Sequence, residues 1–141
     1  MKEVVTFLNF DGECREAMLF YKRCFDAELF LMPYGEAPGD PAWKAPEVKD
    51  RIIHSGLSKG PLRILMACDV MPGASVRGHS GFDVAIQCDS LAEIDALFAA
   101  LAEGGTVTMP LEETFWATRF GMLTDRFGID WMLNLGKPAQ E

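Results

Sequence analysis

The chain has 141 residues, enough for one compact domain, and its 49% hydrophobic and 24% charged content fits an ordinary globular protein and excludes a disordered or fibrous one. Thirteen basic against 21 acidic residues give a formal charge of −8 with no basic cluster, so nucleic acid and anionic membrane surfaces are not expected as partners. No apolar run reaches the roughly 18 residues of a membrane-spanning helix, and the start "MKEVVTFLNFDGEC" turns acidic before any signal-type apolar core develops, so a cytoplasmic location is expected.

Val4 to Phe10 is rich in β-branched and aromatic residues, which predicts a strand ended by Asp11 and Gly12. Ala17, Phe20, Tyr21, Cys24 and Phe25 then recur at helical spacing and form one apolar stripe. Glu28 to Met32 reads as a strand closed by Pro33. Proline and glycine are dense from Gly35 to Asp50, which predicts a long surface loop of the sort that covers a site. Two strands follow, "RIIHSGLS" and "LRILMACDV", joined by "KGP" as a hairpin.

A linker is expected at about residues 71–80, and "FDVAIQC" beyond it is a strand. "SLAE" (Ser90 to Glu93) is a capping box opening a helix whose apolar stripe is Leu91, Ile94, Leu97, Phe98 and Leu101. Gly104 and Gly105 stop it. "TVTM", "ATRFGMLTD" and "DWMLNL" supply three more strands, with "RFG" as the turn before the last. Cys14, Cys24, Cys68 and Cys88 show no metal-ligand spacing. Cys14 and Cys24 sit about 15 Å apart along one helix, too far to bridge, so reduced structural thiols are expected.

"MPYGE" begins at Met32 and "MPLEE" at Met109, 77 positions later, and the segments upstream correspond as well. Strand, acidic turn, helix, strand and Met-Pro recur in order. Asp11 matches Asp89 and "MLF" (Met18 to Phe20) matches "ALF" (Ala96 to Phe98) at a separation of 78, so a one-residue slip is expected between helix and Met-Pro. Each half reads βαβββ: module one at about 1–70 and module two at about 81–136. A unit of about 60 to 70 residues is too short to bury a good core alone. The expected architecture is α+β, two tandem βαβββ modules whose half-sheets face one another in a cupped mixed sheet.

That duplicated order, with "FLNFDGECREAMLFY" and "GGTVTMPLEETFWATRFGMLTDRFGIDWMLN", resembles the vicinal oxygen chelate superfamily of glyoxalases, bleomycin-resistance proteins and extradiol dioxygenases. Within it the likeness is to the PhnB-like family, whose members often carry the label 3-demethylubiquinone 3-methyltransferase-like. The resemblance covers nearly the whole chain and implies a glyoxalase-like fold around a cavity, and a homodimer.

The superfamily's chemistry normally uses a divalent metal held by His and Glu, one from each of four strands, as a Lewis acid for neighbouring substrate oxygens. At those positions this chain has Thr6, Leu65 or Met66, Asp83 and Met132, with Asp69 too late to serve. One carboxylate does not offset the dehydration of a divalent ion, so no metal is expected. The methyltransferase label also lacks residues to support it: no GxGxG occurs, and "EGGTV" follows a helix where such a turn should follow a strand. No cofactor is expected.

"EETFWATRFG" offers candidate ligand contacts: Phe115 and Trp116 as cavity walls, and Arg119 as a forked partner for an anionic or enolic oxygen. The structural alternative packs Trp116 in the core or a dimer contact and pairs Arg119 with Glu113. Strand alternation puts Arg119 and Ala117 on one face, Thr118 and Phe120 on the other. His54 shares a face with Ile52 and Gly56, as a general base or as a hydrogen-bonded structural residue. His79 is expected to be exposed. Asp83 reads as a turn carboxylate or a base.

Trp43, in the Pro-rich loop, must bury itself in a ligand or in a partner subunit, and both stay open. Met32, Met66, Met109, Met122 and Met132 suggest a pliable apolar lining, with core filling as the alternative. Trp131 alternates with Leu133 and reads as core. Three functional readings follow. The first is a metal-free binder of a small, partly apolar molecule, contacted by Trp43, Trp116, Arg119 and Phe115. The second is an enzyme using His54, Asp83 and Glu113, metal-assisted or acid/base. The third is a dimeric interaction module.

Overall fold

In the computed structural model, which describes residues 1–138, the first apolar run becomes a four-residue strand, β1 (Phe7–Phe10). The strand expected from Val4 is trimmed because the ladder with its neighbour begins at Phe7, and Val4 is exposed. Next come α1 (Cys14–Phe25), β2 (Glu28–Pro33), β3 (Ile52–Lys59) and β4 (Leu62–Asp69). The same order returns as β5 (Val84–Gln87), α2 (Leu91–Ala102), β6 (Thr106–Glu112), β7 (Ala117–Thr124) and β8 (Asp130–Gly136). The expected loop at 35–50 is more ordered than its composition suggested: single 3-10 turns form at Tyr34–Glu36 and Pro41–Lys44. Asp40 starts the second by accepting from the Ala42 N–H at 2.9 Å.

The chain divides into two units, Met1–Arg77 and Gly78–Glu141. The first holds a sheet in the order β1-β4-β3-β2, the second a sheet in the order β5-β8-β7-β6. In each, the first and last strands of the unit pair in parallel and the remaining pairs are antiparallel. The fold is therefore α+β, two βαβββ modules with mixed sheets, as the resemblance implied.

One helix packs on one face of each sheet. In the first unit Ala17, Met18 and Tyr21 of α1 are buried with Leu8, Leu57, Leu65 and Ala67. In the second Ile94, Leu97, Phe98 and Leu101 of α2 are buried with Leu123, Trp131 and Leu133. Each large side chain removed from water contributes about 1.5–3 kcal/mol. Gly121 on β7 is needed for this packing: a Cβ there would stand 2.9 Å from Phe98 Cε2 and 2.8 Å from Leu111 Cδ2.

The two helices align end to end at a separation of 77, and so do their buried positions, Ala17 with Ile94, Phe20 with Leu97 and Tyr21 with Phe98. The slip expected between helix and Met-Pro therefore falls before the helix, since Phe7 and Ala85, 78 apart, take equivalent places beside Met66 and Met132. The recurring Met-Pro lies on β2 and β6, each an edge strand with a register irregularity at that point. Proline lacks an N–H for the ladder and is tolerated on such edges. Pro110 consequently does not close its strand, which runs on to Glu112.

Candidate ligand face

Because a helix covers only one face of each sheet, side chains alternate between the helix side and an uncovered side. In the first unit the ladder sets Phe7, Met66, Gly56 and Phe30 in one row across β1-β4-β3-β2. Ser55, the neighbour of Gly56, points to the helix, where its Oγ lies 3.5 Å from Cys14 Sγ; the row therefore lies on the uncovered side. In the second unit the equivalent row is Ala85, Met132, Met122 and Met109 across β5-β8-β7-β6. The next row there is Gln87, Asn134, Phe120 and Glu112. Asn134 donates to Gln87 Oε1 at 2.8 Å, and its own Oδ1 is buried without a partner among the described residues.

His54 stands two residues before Gly56, half-buried, with its ring 6.2 Å from Phe7 and 6.3 Å from Phe30. It does not share a face with Ile52, which is fully buried with its N–H bonded to Asp69 Oδ2 at 2.9 Å. The reason is an irregularity: Met32 pairs with His54 and Pro33 with Ile52, so one extra residue of β3 breaks the alternation.

Trp116 lies edge-on to Phe120, 5.3 Å between ring centres, and is 47% exposed, so it is not core. Phe115, 4.8 Å from Trp116, is 90% exposed. Arg119 pairs with Asp95 of α2, not with Glu113, which puts its guanidinium on the helix side of the sheet. The alternation expected between Ala117 and Arg119 fails at a register shift, and both Ala117 and Phe120 are buried. Trp43 meets Tyr34 edge-on at 5.8 Å and covers Gly39, where a Cβ would collide with its ring at 2.4 Å. That tryptophan thus finds its cover inside its own loop, a solution its sequence context did not offer.

Asp83 is exposed and just precedes β5, while Glu113 is exposed and just follows β6. β5 and β6 are opposite edges of one sheet, about 14 Å apart at the usual strand spacing, so these two do not come together. His79 is half-buried, not exposed. Trp131 is fully buried, its Nε1–H donating to Asp125 Oδ2 at 2.8 Å. Asp69 is also buried; Gly12 and Cys14 N–H groups donate to its Oδ1 at 2.8 and 3.0 Å. Both buried carboxylates are occupied in holding backbone and turn.

Burial pushes the Cys14 thiol up to about 12 and the Cys88 thiol up to about 11. Burial, then the neighbouring Asp69, also raises Cys68, whose thiol donates to Asn9 Oδ1 at 3.4 Å. These are thiols, not poised nucleophiles. Among the described residues no three His, Cys, Asp or Glu side chains converge. At the positions matched to the superfamily's metal, Thr6 is a hydroxyl, Met66 and Met132 offer thioethers on the uncovered faces and Asp83 is the one carboxylate, a donor set that does not fit a hard divalent ion. A polar cleft of about 490 Å3 opens elsewhere on the first unit between Arg15, Lys44, Lys49, Glu36 and Asp50. No helix among the described residues is long and apolar enough to cross a membrane.

The apolar rows escaped sequence reasoning as rows, although four of their methionines were noted. Period-two alternation marks Phe7, Phe30 and Gly56 as outward positions, but only cross-strand register brings them side by side.

Comparison with known proteins supplies the context. The profile of the Glyoxalase/Bleomycin resistance protein/Dioxygenase superfamily matches residues 4–133. Protein YjdN of Escherichia coli K12 is 34% identical over 139 residues, covering 93% of each chain. The structure of PA1353 from Pseudomonas aeruginosa superposes with a TM-score of 0.84 at 42% identity, over 96% of this chain and 98% of that one. The PhnB protein of Bacillus cereus gives a TM-score of 0.76 at 29% identity, over 95% and 99%.

Proposed function

The chain belongs to the Glyoxalase/Bleomycin resistance protein/Dioxygenase superfamily, in its PhnB-like branch, and from that premise we propose that it binds a small, partly apolar molecule on the uncovered sheet faces. One observation carries the reading: on the side away from its helix, each sheet presents a row without a polar side chain, Phe7–Met66–Gly56–Phe30 in one unit and Ala85–Met132–Met122–Met109 in the other. Thioether side chains are flexible and polarisable, and a surface made of them accommodates varied apolar shapes. Trp116 and Phe115 border the second row through Phe120 and supply aromatic contacts.

Metal-assisted chemistry through His54, Asp83 and Glu113 gains no support from the donor geometry, and no reaction step is assigned to them. Arg119 is engaged by Asp95 and Trp43 by Tyr34, so the proposed contacts rest on the apolar rows and Trp116. Two further parts of the proposal are a homodimer, suggested by the exposed Phe115–Trp116 pair, and a cytoplasmic setting, suggested by four free cysteines. Residues 71–80 are proposed as the joint between the modules.

The test is a fluorescence titration of the protein with small aromatic and alicyclic compounds, alongside Trp116→Phe. Saturable quenching that shrinks in the variant is expected. Flat titrations with every compound, repeated by calorimetry, would remove the proposal.

A further inference from the structure

We infer that Gly56 is the floor of a slot admitting a flat ring, so that the first unit's ligand is a planar ring compound with a hydrogen-bonding substituent facing His54. The inference rests on the reading above, that the uncovered faces bind a small molecule, and narrows its chemistry.

Gly56 sits in the middle of an apolar row, with Phe30 beside it on β2 and Met66 beside it on β4. A Cβ built at Gly56 would meet nothing within 4 Å, and its backbone needs no positive φ. Neither sterics nor conformation therefore demands glycine, and an apolar side chain would extend the row without strain. The equivalent place in the second unit is filled: Met122 lies between Met132 and Met109 as Gly56 lies between Met66 and Phe30. The two copies of one scaffold differ here by a missing side chain. Backbones of the strands on either side of Gly56 stand about 10 Å apart, and the space between carries no side chain from β3.

Rings bound that space. His54 lies two residues along the strand on the same face, and its imidazole contacts both Phe7 and Phe30. Aromatic rings prefer edge-to-face or offset contact with another ring, which favours a flat guest over a saturated one of equal size. Arg63 donates to Met66 Sδ at 3.4 Å and Cys68 to Asn9 Oδ1 at 3.4 Å, whereas among the described residues no hydrogen bond reaches the His54 imidazole, so that ring has capacity for a hydroxyl or carboxylate on the guest.

The probes are 2-naphthol, its saturated analogue decahydro-2-naphthol, and naphthalene, titrated by calorimetry or probe fluorescence. Wild type should bind 2-naphthol about tenfold or more tightly than the saturated alcohol. Gly56→Val should weaken 2-naphthol by a similar factor, whereas Gly136→Val, at another glycine with open Cβ space, should leave it unchanged. His54→Phe should retain naphthalene and weaken 2-naphthol. Circular dichroism checks that Gly56→Val folds; if it does not, the flat-against-saturated comparison on wild type decides alone. Equal affinity for flat and saturated probes, or undiminished 2-naphthol binding to folded Gly56→Val, overturns the slot and leaves the broader binding proposal standing. Binding of no compound by wild type overturns both.

Discussion

Asp69 is 1% exposed and pairs with no cation among the described residues, yet both its oxygens accept backbone N–H groups, from Gly12 and Cys14 at the start of α1 and from Ile52 at the start of β3. Bonds of this kind fix three segments to one point. Asp69→Asn keeps the volume but turns an amide N–H2 towards the Ile52 N–H, or towards the helix. We expect a loss of about 3 kcal/mol in urea denaturation. A change within experimental error would mean that the carboxylate is dispensable.

Cys14 makes a pH prediction. Burial, the largest cause, raises its thiol from an ordinary 9.0 to about 12. In the unfolded chain the thiol ionises near its ordinary value, so its contribution to stability is fully present below pH 9 and is lost as pH rises from about 9 towards about 12. Stability should fall by about 1 kcal/mol from this group between pH 8 and pH 10. Cys14→Ala should show a shallower alkaline decline in its denaturation midpoint, whatever the substitution costs at neutral pH. An identical slope would contradict the assignment.

At the scale of elements, two strand glycines with opposite surroundings give a paired test. Gly121 faces α2, and a methyl group there would press on Phe98, Leu111 and the Met109 carbonyl. Gly121→Ala should cost about 1–3 kcal/mol. Gly56→Ala, into open space, should be neutral or stabilise by about 0.5 kcal/mol through the unfolded chain. Denaturation midpoints that move in the reverse order would mean that the faces are assigned the wrong way round.

The same scale shows what the residues disclosed. Helix periodicity gave α1 and α2 and most of their buried stripes, although Leu91 is exposed, Cys24 and Phe25 are half-buried, and Cys14 and Met18 are buried outside the expected stripe; the "SLAE" box holds as Ser90 Oγ accepting from Glu93 N–H at 3.1 Å. In the reciprocal bond Glu93 Oε1 accepts from the Asp89 N–H, one residue earlier than the motif implies. Alternation placed Trp131 and Leu133 inside. It failed for Ile52 against His54 and for Ala117 against Arg119, because bulges arise from pairing between strands and leave no local signature. The intramolecular partners of Trp43 and Arg119 escaped notice for a related reason: Tyr34 and Asp95 are nine and 24 positions away, beyond reach of a pattern read along the chain.

For the whole molecule, duplication explains both the repeated Met-Pro and the twin uncovered faces. A βαβββ unit has one helix for a two-sided sheet, so doubling it yields two apolar faces that their own helices leave open. The repeat was legible because strand, helix and edge proline recur in order. The Gly56 gap was not, since a glycine in a strand acquires meaning only once register gives it, within its own sheet, the place that Met122 fills in the other.

The central claim is that the uncovered faces receive a small molecule, and its most direct test is methyl NMR of methionine-labelled protein during titration with 2-naphthol or any other compound that binds. Met66 should shift with saturation when the first unit's face is filled, and Met109, Met122 and Met132 together when the second unit's face is filled, while Met18, on the buried side of α1, stays fixed. Binding that leaves those four methyl signals unmoved, or that moves Met18 in their place, would contradict it.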